Sequence, residues 1–265
     1  MNIMTDKDTV IFLCSFGTSI LRAAEESYEK IQAELEAATG LRVLQVYTDN
    51  PTAKAVNGIN GKRVYTVEAA IQDSIVHKYS EAIAVPVFFA EGELYNSLRS
   101  RLDFYRETID IRMTNAVMYS PSSCDEVADI MIDIIKPDPN NEYILVGHEA
   151  SAYNDKGYDL LGSKLHEKGF KNMEVIKLSD RDSVGQAVAH LKERQAVTRD
   201  AQVEIIPLVV AWGDYMAGEL YNSDNSFMWQ LRKAGYRTVF TGKGLGEYEA
   251  FRKIYIKRFN DLVKA

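Results

Sequence analysis

The sequence predicts an α/β protein made of two similar halves, each built around a parallel sheet. First, short apolar runs rich in Val and Ile alternate with longer segments of helical period, the cadence of β-α-β units. Second, Pro86-Val-Phe-Phe-Ala90-Glu-Gly92-Glu93 and Pro207-Leu-Val-Val-Ala211-Trp-Gly213-Asp214 share Pro, Ala, Gly and an acid at equal spacing, every pair 121 residues apart. Third, Lys136-Pro137-Asp138-Pro139-Asn140-Asn141 reads as a connection between the halves. The expected units are therefore residues 1–136 and 142–265, with the last helix able to pack back on the first unit.

In chain order, Thr9–Cys14, an apolar run of strand-like length, is the first expected strand. A helix capped by Ser19 is expected to run to about Ala38, supported by its amphipathic Glu/Lys-rich body. Leu41–Tyr47 reads as a strand, Thr66–Tyr79 as a helix with an acidic start, Ala82–Phe89 as a buried strand and Glu93–Arg106 as a helix. The second half follows with strand Glu142–Val146, helix Ala152–Lys168, strand Met173–Leu178 and helix Ser183–Arg194. Strand Val203–Val210, a helix around Ser226–Ala234, strand Tyr236–Phe240 and a helix from about Glu247 to Lys264 complete it.

Composition excludes several function classes. Hydrophobic residues at 46% and charged residues at 26% of 265 are globular values, not those of a disordered or fibrous chain. With 31 basic against 38 acidic residues the formal charge is −7, and no basic stripe suited to nucleic acid stands out. The longest uncharged apolar run, Ala82–Ala90, falls far short of the roughly 20 residues that span a bilayer. Met1 to Asp8 is short and polar without the apolar core of a signal peptide, so a cytoplasmic protein is expected. Cys14 and Cys124 are too few for a disulfide framework and read as buried thiols. Composition leaves the oligomeric state open, homo-oligomer included.

Ligands of parallel sheets sit beyond the carboxyl ends of the strands, so the turns after Cys14, Phe89, Val146 and Val210 should face one cleft. His148, in Gly147-His148-Glu149, stands at such an end, where an imidazole can serve as metal ligand or general base, or can simply close the turn. His77, His166 and His190 fall in helical segments among charged neighbours and read as solvated or half-buried. Glu93 and Asp214 are the acids of the repeated turns, with Glu91 and Tyr215 beside them. They are either metal or proton partners of an imidazole, or helix-start acids favoured by the macrodipole. Ser15-Phe16-Gly17-Thr18-Ser19 is a small-residue loop feeding a helix, suited to an anion or to ordinary capping. Gly242-Lys243-Gly244-Leu245-Gly246-Glu247 matches neither dinucleotide nor Walker loops, so no nucleotide is expected.

Taken together and in order, Phe16-Gly17-Thr18-Ser19, Gly92-Glu93-Leu94-Tyr95, Gly147-His148, Gly213-Asp214 and Lys243-Gly244-Leu245-Gly246-Glu247 resemble the anaerobic cobaltochelatases, class II chelatases that insert cobalt into sirohydrochlorin during cobalamin synthesis. The resemblance implies two three-layer α/β lobes, chelatase-like, with a tetrapyrrole held in the cleft between them. It implies Co²⁺, alternatively Fe²⁺ or Ni²⁺, as substrate metal, an ATP-independent lyase-type reaction, and no nucleotide. It assigns His148 as metal ligand and proton acceptor, Glu93 as a second catalytic and metal residue, and Tyr215 to the metal face. Phe16, Gly17, Thr18, Ser19, Phe88, Glu149, Asp214 and Lys243 would line the tetrapyrrole, with Lys62 and Arg63 as further rim cations. Two positions depart from the family pattern: Tyr215 stands where members carry a second histidine, and Leu94 where they carry a glutamate. A non-catalytic tetrapyrrole- or haem-binding protein on the same fold is the alternative that these departures imply.

Overall fold

The computed structural model describes residues 8–59, 61–147, 156–180, 182–197 and 199–264, with the backbone alone at 214 and 215. The first half comprises β1 (Thr9–Ser15), α1 (Leu21–Glu26), α2 (Tyr28–Thr39), β2 (Arg42–Tyr47), α3 (Asn50–Asn57), α4 (Val67–Val76), β3 (Glu81–Pro86), α5 (Glu93–Asp103), β4 (Asp110–Met113) and α6 (Pro121–Ile135). The second comprises β5 (Glu142–Gly147), α7 (Lys156–Glu167), β6 (Met173–Lys177), α8 (Ser183–Glu193), β7 (Gln202–Pro207), α9 (Asp214–Leu220), α10 (Phe227–Lys233), β8 (Arg237–Phe240) and α11 (Glu249–Lys264). Two four-stranded sheets result, ordered β2-β1-β3-β4 and β6-β5-β7-β8, with every pairing between named strands parallel.

The 121-residue offset is built into the backbone. Pro86 lies opposite Cys14 as Pro207 lies opposite Val146. One residue on, the Val87 amide donates to the Cys14 carbonyl and the Leu208 amide to the Val146 carbonyl, both at 2.8 Å. Each proline turns its donor-less nitrogen toward a neighbouring strand, β4 or β8, whose pairing has already ended, so no ladder bond is lost. That is also why the strands read to Phe89 and Val210 stop at Pro86 and Pro207.

Central strands are buried on both faces, which explains their unbroken apolar sequence. Phe12 and Ala84 face an outer core with Ile71, Tyr95 and Leu98, while Ile144 and Ile205 face another with Leu191 and Leu231. The opposite faces, carrying Leu13, Val85, Leu145 and Ile206, share one inner core with α2, α6, α7 and α11.

The closing helix of each half lies against the other half. From α11, Phe251 stacks on Phe89 with centroids 5.3 Å apart, Arg252 bonds Glu34 at 2.7 Å, and Arg258 bonds the Val117 carbonyl at 3.1 Å. In return α6 meets α7, where Lys168 pairs with Asp125 at 3.1 Å and Asp129 at 2.8 Å.

Several elements differ from the sequence reading. The helix expected from Ser19 is two helices, broken at Ser27, whose hydroxyl bonds the Ala23 carbonyl at 2.6 Å while its backbone leaves the helical region. Ile20, not Ser19, occupies the cap position, because the Thr18 hydroxyl already accepts the Ile20 amide at 3.1 Å. Thr66 caps α4 as its side chain accepts the Ala69 amide, and the helix ends at Val76. The short edge strand β4 and helices α3 and α6 were not expected, and α9 only through the alternative that made Asp214 a helix-start acid. Two of these helices open on or just before a proline, Pro51 in α3 and Pro121 in α6, which suits a first turn but also reads as a loop signal.

Candidate functional site

Within each half, main-chain bonds tie the segment after the last strand to the loop that follows the third strand. Val117 and Met118 donate to the Phe88 and Phe89 carbonyls at 3.0 and 2.6 Å. At the repeat positions Leu245 and Gly246 donate to Val209 and Val210 at 2.8 and 2.9 Å. The glycine-rich segment 242–247 is thus a strap across the end of β7. Glycine is needed at 244 because a Cβ there would lie 2.5 Å from the Val210 carbonyl oxygen.

The loop after β1 joins the lobes. Thr18 is buried, and its hydroxyl donates to the carbonyl of Trp212 in the loop after β7. Gly17 has φ +107°, and a Cβ on it would stand 2.5 Å from the Tyr47 ring, so only glycine brings the loop this close to the end of β2. Burial pushes the Tyr47 phenol up to about 12, against the backbone amide of Thr18 that bonds its oxygen, so it stays neutral and positions the loop. Phe16 is 46% exposed and Ser19 is exposed at this rim.

Beyond β3, Glu93 is the first residue of α5 and exposed, whereas Leu94 packs against the outer core of the first lobe. Asp214 opens α9 as Glu93 opens α5, each after an extended glycine, so Tyr215 and Leu94 hold matching backbone positions. The side chains of Asp214 and Tyr215 lie outside the described residues, as do His148 and Glu149 altogether. Gly147 is the last residue of β5, which makes His148 the next residue beyond a central strand. By register it matches Phe16, since Val146 and Cys14 face the equivalent prolines. Phe88, expected at the tetrapyrrole, is buried in the outer core, with only its carbonyl engaged at the strand end.

Lys243 is exposed, its ammonium 5.6 Å from the Tyr248 ring centroid, and makes no ion pair among the described residues. Lys62 is held by Glu25 and Glu29 at 2.9 and 2.8 Å, while Arg63 lies over Tyr65, so both line cavities of about 450 and 540 Å³ along the outer edge of β2. Among the described residues no cluster of three or more His, Cys, Asp or Glu is placed to hold a metal ion. Burial raises the thiol pKa of both Cys14 and Cys124, which makes them inert. No helix among the described residues is long and apolar enough to cross a membrane.

The remaining histidines stand apart. His77 meets the Asp73 carbonyl at 2.8 Å and His166 the Met173 carbonyl at 2.9 Å. His190 is more enclosed than a solvated helix residue: it lies 3.2 Å from Glu174 and 3.5 Å from the fully buried Glu142, at the amino end of β5. Burial opposes its charge, but the two carboxylates win and raise its pKa to about 9. Sequence reading also passed over Trp212 and Tyr47, whose roles come from contacts across the lobes and across the sheet.

Two four-stranded parallel sheets with flanking helices, whose strand ends meet at one junction, define a two-lobed α/β protein of the chelatase type. The cobalt chelatase (CbiK) family profile matches residues 9–264. The chain belongs to that family, whose chemistry is metal chelation by a tetrapyrrole. No curated protein sequence matches it. Among solved structures it is similar to SirB from Bacillus subtilis with Fe³⁺, at 13% identity and TM-score 0.65 over 96% of this chain and 95% of that one. It is also similar to the sirohydrochlorin chelatase SirB from Bacillus subtilis subspecies spizizenii in complex with cobalt, at 11% identity and TM-score 0.60 over 97% and 95%. The multi-domain DR2241 from Deinococcus radiodurans shares the fold at 16% identity and TM-score 0.54, with 96% of this chain covering 54% of that one.

Proposed function

We propose that this chain inserts a divalent metal, Co²⁺ in the first instance, into sirohydrochlorin in the anaerobic route to cobalamin, with Fe²⁺ and Ni²⁺ as alternative substrates. The observation that carries the reading is the family match over nearly the whole chain, together with a histidine directly after β5 in the motif Gly147-His148. The macrocycle gives up two pyrrole protons as the metal enters, so charge balances without an oxidant or ATP. His148 binds the metal and accepts a proton, and Glu93, at the start of α5, or Glu149 relays protons outward. Tyr215 faces the metal. A phenol with a pKa near 10 becomes a good ligand once the metal draws off its proton. Phe16, Gly17, Thr18, Ser19 and Asp214 form the walls, and Lys243 pairs with a substrate carboxylate.

A second reading is a tetrapyrrole- or haem-binding protein that performs no insertion. Leu94 favours it, since the residue at the family's glutamate position is an aliphatic side chain packed against the outer core, with no group to offer a metal. Both readings are tested by following the visible spectrum of sirohydrochlorin with Co²⁺, against a protein-free control and a His148→Ala variant. Insertion well above control and lost in the variant is expected. Insertion no faster than control overturns the enzyme reading, and a spectral shift without metal then supports the binder.

A further inference from the structure

Three aromatic rings that the insertion scheme does not use gather at the carboxyl end of the second sheet. Trp212 follows β7, Tyr221 follows α9, and Phe240 closes β8. Trp212 stands edge-on to Phe240, with centroids 4.4 Å apart at 87°, and edge-on to Tyr221, 6.1 Å apart at 88°. Tyr221 lies over Phe240 at 5.3 Å with the planes 27° apart. These are favourable quadrupole geometries, so the group is a rigid block rather than three loose side chains.

The block is finished on one side only. Trp212 is 7% exposed, whereas Tyr221, resting on Phe240, is 45% exposed. The Trp212 indole nitrogen is buried and has no hydrogen-bond partner among the described residues, the mark of a place completed by something else. The block also belongs to the junction of the lobes. Its Trp212 carbonyl takes the Thr18 hydroxyl, and Ile20 and Ala23 from the first half pack in the same core. Phe16, the other exposed aromatic at this rim, lies in the same loop as Thr18.

We propose that Tyr221 is a substrate-binding residue whose exposed ring stacks on the conjugated plane of the tetrapyrrole, with Phe240 and Trp212 as its fixed backing. The inference rests on the tetrapyrrole reading above and adds a recognition element to it. A conjugated macrocycle offers a broad, polarisable face, and an aromatic ring already held in place loses little freedom on stacking against it. Lys243 reads the charged periphery of the ligand, whereas Tyr221 reads its flatness.

The sequence contains two tryptophans, so Trp229→Phe leaves Trp212 as the sole indole reporter, 6.1 Å from Tyr221. In that background metal-free sirohydrochlorin is titrated while Trp212 emission is followed. Tyr221→Leu should raise the dissociation constant about tenfold, while Tyr221→Phe, which keeps the ring, should stay within about twofold of the parent. In the insertion assay the loss should fall on KM and leave kcat little changed. Thermal melts of both variants near the parent's keep a folding defect from imitating the result, and Tyr221→Gln serves as a second ring-deleting change. Equal affinity of the parent and both ring-deleting variants overturns the proposal, as does Phe behaving like Leu. If the parent inserts cobalt while Tyr221→Leu matches it, only this inference fails. If the parent binds no sirohydrochlorin, the tetrapyrrole reading fails and this inference falls with it.

Discussion

Replacing His190 with glutamine should change how stability depends on pH. In the fold the imidazolium bridges Glu142 and Glu174, and its pKa rises from 6.5 to about 9. Because the folded pKa is the higher one, the folded state holds the proton more tightly. The stabilisation is fully present below about pH 6.5 and is lost as pH rises through about 9. A shift of that size corresponds to about 3 kcal/mol at full protonation. It is spread over the window between the two values at up to about 1.4 kcal/mol per pH unit. Only 12% of the side chain is exposed, so solvent screens little of it. Glutamine can donate to one carboxylate but brings no charge, leaving Glu142 to Arg194 and Arg199. Urea unfolding of wild type and His190→Gln at pH 6, 7.5 and 9.5 measures the effect. The gap should be widest at pH 6 and should narrow toward pH 9.5. A gap of the same size at all three values would refute the bridging imidazolium.

Two further outcomes bear on the junction. Gly17→Ala should destabilise by about 1–2 kcal/mol for the left-handed backbone alone, and by more as its Cβ meets Tyr47, with sirohydrochlorin binding weakened in the same titration. Thr18→Val leaves the Trp212 carbonyl without its donor and should cost about 1–3 kcal/mol in urea unfolding, with Thr18→Ser recovering most of it. A valine variant as stable as wild type would discount the tether.

Elements whose signal is local could be read from the sequence. The paired prolines and glycines marked two equivalent strand-turn units, although the strands were read three residues too far, and just past each proline Val87 and Leu208 make matching bonds to Cys14 and Val146. Ser27 hid a helix break, because a serine within an amphipathic run gives no local sign that its hydroxyl will bond four residues back. His190 is half-buried as read, but its two carboxylates were not legible, since they come from β5 and β6 and only the fold brings them to α8. The candidate site divides in the same way. The Gly17 and Gly213 turns are motifs, whereas the Trp212, Tyr221 and Phe240 block and the Thr18 tether exist only through contacts between distant segments.

The exchange of α6 and α11 bears on how the chain is made. During synthesis the first sheet is complete once β4 has emerged and α2 can pack on its inner face, yet Phe89 waits for its stacking partner Phe251, more than 100 residues later. At typical rates of about 5–20 residues per second, the part of that surface covered by α11 stays exposed for several seconds or more. The first half therefore lacks part of its cover until α11 is made, an interval in which exposed apolar surface favours aggregation.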